Sequence, residues 1–251
     1  MKNLTTTTQN SIIEQTTSQC NNILTNFDFS AIDEKDPSLS EGHKLFYLKE
    51  IPFEIKIEED DENKKQSDVA SFESIKCKIL MGGSIHNPSI IRIELSCERD
   101  LFFHYTSDID EETFNIMLEA QKLSVSYIEF GNLVKKLLDN CINMPQIYLA
   151  VFVMQKDKAA RLDFIQKMEY KFVDLLSIDF VNSPTDTVRK QVCFRYNAIR
   201  TKIELIQNRI NTINNIVKVK NPSLLLQIQK APAMLGGSLD ITGNIENNAA
   251  K

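Results

Sequence analysis

Near the C-terminus Val192, Tyr196, Ile199, Ile203, Ile206, Ile210, Ile213 and Val217 fall alternately four and three residues apart. A repeat averaging 3.5 residues keeps one stripe of a helix in register with a partner helix. The pattern therefore predicts an amphipathic helix from about Asp186, stopped by Asn221-Pro222. Its apolar seam is narrow and extends for roughly 40 Å at 1.5 Å per residue. Placing Tyr196, Ile203, Ile210 and Val217 at a puts Val192, Ile199, Ile206 and Ile213 at d. Arg195, Lys202 and Arg209 then lie at g, opposite Arg200, Gln207 and Asn214 at e of a parallel partner. No acidic residue answers these charges across the seam, so a parallel pair is expected to be weakly held.

Upstream the period is two. Ile51, Phe53, Ile55 and Ile57 alternate with polar residues and Pro52, predicting a half-buried strand with His43–Lys49 as its hairpin partner. Ile75, Cys77 and Ile79 predict a third strand, turned at Met81-Gly82-Gly83. Ile91, Ile93, Leu95 and Cys97 predict a fourth, and Leu101–Tyr105 a fifth. The period then changes. Asp108 and Glu111 resemble a capping box ahead of Phe114, Met117, Leu118 and Gln121. A second helix presents Leu133, Leu137, Leu138 and Cys141 on one face and ends at Pro145. Ile147–Met154 is apolar on both faces, as a fully covered strand would be. Two more strands, Leu162–Gln166 and Phe172–Phe180, flank the turn Lys167–Lys171.

The order is five strands, two helices, three strands and a long helix. This predicts an α+β chain: a β-barrel or sandwich head with a helix-turn-helix insertion, followed by a C-terminal coiled-coil helix. The expected division is a disordered segment 1–40, a head 41–185, a stalk 186–220 and a flexible tail 221–251. The first segment is rich in Thr, Asn, Ser and Gln with only scattered apolar residues, and the tail from about Ala231 (APAMLGGSLDITGNIENNAAK) reads the same way. The run EEDDENKKQSD is expected to be a solvated loop.

Among 251 residues, 42% are hydrophobic, enough for a substantial core. The net charge of -5 argues against a dedicated nucleic-acid binder. Five widely spaced cysteines without a CxxC pair predict free thiols in a reducing compartment. Met1–Gln15 lacks a continuous apolar stretch, and nothing approaches the ~18 apolar residues of a membrane span. A soluble intracellular protein is expected.

Signs of catalysis are sparse. His43, His86 and His104 are far apart and in no ligand spacing. Gly131 is the only glycine between Gly83 and Gly236, and no phosphate-binding glycine motif occurs. The acidic run Asp108–Glu112 suits the positive end of a helix. We expect no enzyme, cofactor or metal. Tyr170 stands out instead, because it occupies a hairpin tip where turns usually select Gly, Asn or Asp. It either folds back onto its own sheet or, with Met168 and Lys171 beside it, forms an apolar knob for a partner.

The block Ile90–Cys141 resembles the signature region of the centriolar cartwheel protein family, spindle assembly abnormal protein six. The resemblance rests on Asp100, Phe102-Phe103-His104-Tyr105, Glu111-Glu112-Thr113-Phe114, Leu123–Phe130 and Leu137-Leu138. It extends more weakly over about Leu45 to Val217. It implies a seven-stranded barrel-like head, one strand fewer than the pattern predicts, and a parallel coiled coil. It also implies heads that pair through a bulky apolar hairpin residue, the position of Tyr170, to form a nine-fold ring with about 40° between dimers. Tyr170 adds a hydroxyl to that position, and the short seam resembles the short-stalk relatives of flagellates and apicomplexans.

The implied function is a structural, self-assembling protein of the centriole or basal body, in the cytoplasmic cytoskeleton. Its partners would be copies of itself and other centriolar or basal-body proteins, with neither nucleic acid nor membrane. Alternatives are an end-joining DNA-repair scaffold with the same head, or an apical or basal-plate cytoskeletal protein of the short-stalk subfamily. The repair scaffold would need a basic surface and a long ligase-binding stalk, and both are missing.

Overall fold

The computed structural model describes residues 28–57, 71–84, 86–155 and 159–223. The charged run 58–68 and most of the expected N-terminal segment and tail lie outside the described residues. The part of 1–40 that is described forms defined structure. A helical turn at Ser30–Asp33 leads into a 3-10 turn at Pro37–Gly42, which Asp36 caps by accepting the Ser38 N–H. Order there comes from polar anchoring, since Ser38 is buried in a hydrogen-bond cluster described below.

Seven strands close into a barrel in the order β1-β2-β3-β4-β7-β6-β5. They are β1 His43–Ile57, β2 Ser71–Ser84, β3 Asn87–Cys97, β4 His104–Ile109, β5 Tyr148–Met154, β6 Ala159–Lys167 and β7 Phe172–Asn182. Between β4 and β5 stand α1 Glu111–Gln121 and α2 Tyr127–Asn143, and Thr185–Lys220 forms α3.

The expected hairpin of His43–Lys49 with Ile51–Ile57 is one continuous strand, which removes the surplus strand. β1 pairs with β2 from His43↔Gly82 to Ile55↔Ser71, with a bulge between Leu45 and Tyr47. Parallel pairing to β5 begins only at Phe53, so the missing N–H of Pro52 removes no rung on that side. Met81-Gly82-Gly83 does not turn β2. The strand bulges at Gly82 and Gly83 and continues to Ser84, Gly83 taking a left-handed φ of 81°.

The fifth expected strand is displaced toward the C-terminus. Asp100 forms a tight turn, accepting the Phe102 N–H on its carboxylate and the Phe103 N–H on its carbonyl. Leu101 and Phe102 lie in that turn, and β4 starts at His104. Asp108 therefore remains in the sheet, where it takes two hydrogen bonds from Arg92 at 2.6 and 3.0 Å. The α1 cap is Asp110, which accepts the Thr113 N–H at 2.8 Å.

The interior is aromatic at its centre, where Phe103, Tyr105, Phe152 and Phe180 make ring contacts of 4.9–5.9 Å. β5 is covered on both faces, as its unbroken apolar run predicts, with Ala150, Val151 and Phe152 all buried. The helices pack on each other through Phe114 and Phe130, 5.2 Å apart, and α2 lies against the barrel at Gly131, beside Met81 and Phe46. A Cβ at Gly131 would clash with Met81 Cε, so the α2 backbone approaches the barrel where only hydrogen fits unmoved. The barrel is most thinly closed between β4 and β7, which share two residue pairs, Tyr105↔Asn182 and Thr106↔Val181.

The chain divides into two compact units, 1–199 and 200–251, so the division falls inside α3. Among the described residues no helix is long and apolar enough to cross a membrane. Cys77, Cys97, Cys141 and Cys193 are free thiols, and Cys20 lies outside the described residues.

Candidate functional site

β6 and β7 form a hairpin whose two-residue loop is Glu169-Tyr170. Lys167 pairs with Phe172, and the Met168 N–H donates to Lys171 O at 2.8 Å. Among the described residues the only non-glycine positive φ values belong to Glu41 and Lys122, so this loop needs no left-handed residue. That explains why a tyrosine can occupy the tip without Gly, Asn or Asp. Tyr170 is 90% exposed, so it does not fold back onto its own sheet. Its hydroxyl donates to Glu169 Oε1 at 2.8 Å.

The tip is not an isolated knob. Met168 and Phe172 are also exposed, and Lys167 donates its N–H to Ile147 O at 2.7 Å, bringing exposed Ile147 alongside. Met144 accepts the N–H groups of Ile147 and Tyr148 and is exposed as well. Met144, Ile147 and Phe172 were not singled out in the sequence. Ile147 read as part of a covered strand, and its place beside the hairpin depends on tertiary pairing.

The root of α3 belongs to the first unit. Val188 and Gln191 are buried there, Val192 is half-buried, and Tyr196 and Ile199 are exposed. Gln191 Nε2 donates to Ser38 Oγ at 2.8 Å, and Lys78 Nζ donates to the same oxygen at 2.9 Å. Ser38 in turn donates to Glu94, so this hydroxyl uses its donor and both acceptor sites. Burial raises the Glu94 carboxyl above its ordinary range. Arg195 donates to Cys97 O at 3.1 Å and Leu101 O at 2.8 Å. Its guanidinium thus serves the β3–β4 loop instead of facing a partner at g. In the second unit Ile203, Ile206 and Ile210 are exposed, while Ile213 and Val217 are half-buried. Arg200 pairs with Glu204 at 3.1 Å, so its charge is answered within the helix.

The histidines do not converge on one site. His104 is buried with Nδ1 2.8 Å from Ser183 Oγ, and burial, with Lys78 and Arg195 nearby, pushes its pKa down to about 4. His43 is buried with Nδ1 2.8 Å from Ser40 O, and His86 is exposed. Among the described residues no three His, Cys, Asp or Glu side chains group as metal ligands. Two open grooves share Glu111. One is lined by Pro88, Ser126, Tyr127 and Ile128, the other by Glu112, Asn115, Ile116 and Glu119.

Residues 45–180, barrel and helices together, match the family model of the centriolar protein SAS N-terminal domain. The chain belongs to this family. Among solved SAS-6 structures, a Leishmania N-terminal fragment containing parts of its coiled coil is 14% identical, with a TM-score of 0.59. That match covers 73% of this chain and 99% of the other. A Drosophila melanogaster Sas-6 N-terminal fragment, dimerised via its coiled-coil domain, is 13% identical with a TM-score of 0.60, covering 77% and 91%. The C. elegans SAS-6 N-terminal coiled-coil dimer is 11% identical with a TM-score of 0.53, covering 68% and 98%. At these identities the shared property is the fold: a closed barrel with a long helix. No curated protein matches the sequence. SAS family membership places the chain among centriolar structural proteins that self-assemble, a cytoskeletal class and not an enzymatic one.

Proposed function

We propose that this SAS-family chain builds a centriolar or basal-body scaffold through two contacts between copies. Its working parts are a head, 41–185, and a stalk, 186–220, flanked by segments 1–40 and 221–251. Heads join when the Tyr170 hairpin, with Met168 and Lys171, docks into a neighbouring head. Stalks join in parallel along Val192, Tyr196, Ile199, Ile203, Ile206, Ile210, Ile213 and Val217.

The observation that carries this reading is the 90% exposure of Tyr170 on a braced two-residue loop. An exposed aromatic held rigidly loses little entropy on docking and can bury its whole ring. The groove beside Tyr127, Pro88 and Ile128 is the receptor best matched to it. Its rim is acidic through Glu111, with Glu112 and Glu119 nearby, while Lys167 and Lys171 flank the hairpin. Closure of such heterologous contacts gives a ring.

Sedimentation equilibrium on the full chain and on Tyr170→Glu tests the reading. We expect loss of higher association with a stalk dimer retained. Unchanged association in the variant removes the hairpin from the mechanism. Localisation of the tagged chain to centrioles or basal bodies tests the cellular role.

A further inference from the structure

The β3–β4 loop carries an apolar surface that neither the hairpin nor the seam uses. Phe102 is 76% exposed and Leu101 is also exposed. The loop is stiff, since Asp100 bonds the N–H groups of Phe102 and Phe103, and Phe103 is anchored in the aromatic core. Arg195 fastens it to α3 through the carbonyls of Cys97 and Leu101. Arg195 lies three residues after Val192 and four before Ile199, on the same flank of the helix as those seam residues. Leu101 and Phe102 are therefore set beside the seam.

In a parallel pair, the g flank of one helix meets the e flank of the other. By that rule Arg195 would face the second copy's Arg200, a repulsive pairing. The structure removes the conflict twice, because Arg195 is turned to the loop and Arg200 is bonded to Glu204. The flank is then occupied by an apolar loop instead of a free cation.

We propose that Phe102, with Leu101 beside it, is part of the interface between two copies, packing on the second copy's helix between Cys193 and Arg200. This rests on the parallel pairing of the seam. The head thus lends the short stalk apolar area that the seam lacks.

The test uses the full chain carrying Tyr170→Glu, which isolates the stalk contact. A photoreactive benzoylphenylalanine at position 102 is expected to crosslink differently tagged copies, labelling residues 193–200. Phe102→Ala is expected to weaken the dimer about tenfold or more in sedimentation equilibrium, with thermal unfolding of the head unchanged. Ile206→Asp reports on the seam separately. If Ile206→Asp leaves the dimer intact, parallel pairing fails and the inference with it. If Ile206→Asp dissolves the dimer while Phe102→Ala changes nothing and crosslinks stay within one chain, the loop is excluded and the seam stands.

Discussion

Ser38 donates its hydroxyl proton to the Glu94 carboxylate, 56 residues away, at 2.5 Å. Through that oxygen the segment before the barrel, strands β2 and β3, and the root of α3 are joined in one buried polar cluster. Ser38→Ala leaves Glu94, Lys78 and Gln191 each short of a partner. Unsatisfied buried groups cost about 1–3 kcal/mol. We expect the variant to unfold at lower denaturant by that amount, with an unchanged slope, as measured by equilibrium urea titration.

His104 makes stability pH-dependent. Its pKa is about 4 in the fold against 6.5 in a free side chain, so the unfolded chain takes up a proton first as pH falls. The stabilisation is complete above about pH 6.5 and is lost progressively as pH falls to about 4, for a total of roughly 3 kcal/mol. Glu94 acts in the opposite sense, since its raised pKa favours the fold as it protonates. The difference between wild type and His104→Asn isolates the histidine. That difference should narrow from pH 7 to pH 4 in paired unfolding curves.

Graded changes at Tyr170 separate ring from hydroxyl. Removing the ring in Tyr170→Ala forfeits about 2–3 kcal/mol of burial, or roughly 30- to 150-fold in head association. Tyr170→Phe should associate at least as tightly as wild type, because the hydroxyl must shed water to dock and already bonds Glu169. Concentration-dependent sedimentation of the three proteins checks the order.

Gly131 probes the approach of α2 to the barrel. In Gly131→Ala the new methyl meets the mobile end of Met81, and alanine gains about 1 kcal/mol of helix propensity. The variant should stay within about 1 kcal/mol of wild type. Gly131→Val, with two more methyls near Met81 and Phe46, should lose about 1–3 kcal/mol by overpacking. Thermal melts of both variants decide it.

Local periodicity carried the elements with long unbroken patterns. β3, β5, β6, β7, α2 and α3 were legible because alternation or 4-3 spacing repeats within each. Errors arose where a local cue competed with a distant one. The turn expected between Lys49 and Ile51 rested on local pattern alone, yet β2 pairs with β1 without a shift from Tyr47 to Ile55. Asp108 and Asp110 are both plausible caps, and only Arg92 on the neighbouring strand decides between them. Tyr170 was legible as an oddity of turn chemistry. Arg195 looked like a coiled-coil flank residue, and its partner loop lies 94 residues upstream, beyond any local pattern.

β7 runs from Phe172, beside the Tyr170 loop, to Asn182, three residues before α3 begins. Its 11 residues span roughly 35 Å. One strut therefore connects the two docking surfaces proposed above, bonded along its length to β6 and barely to β4. In the proposed assembly, any twist in this single strand becomes an angular offset between successive subunits, so the curvature of that polymer would be written into its pitch.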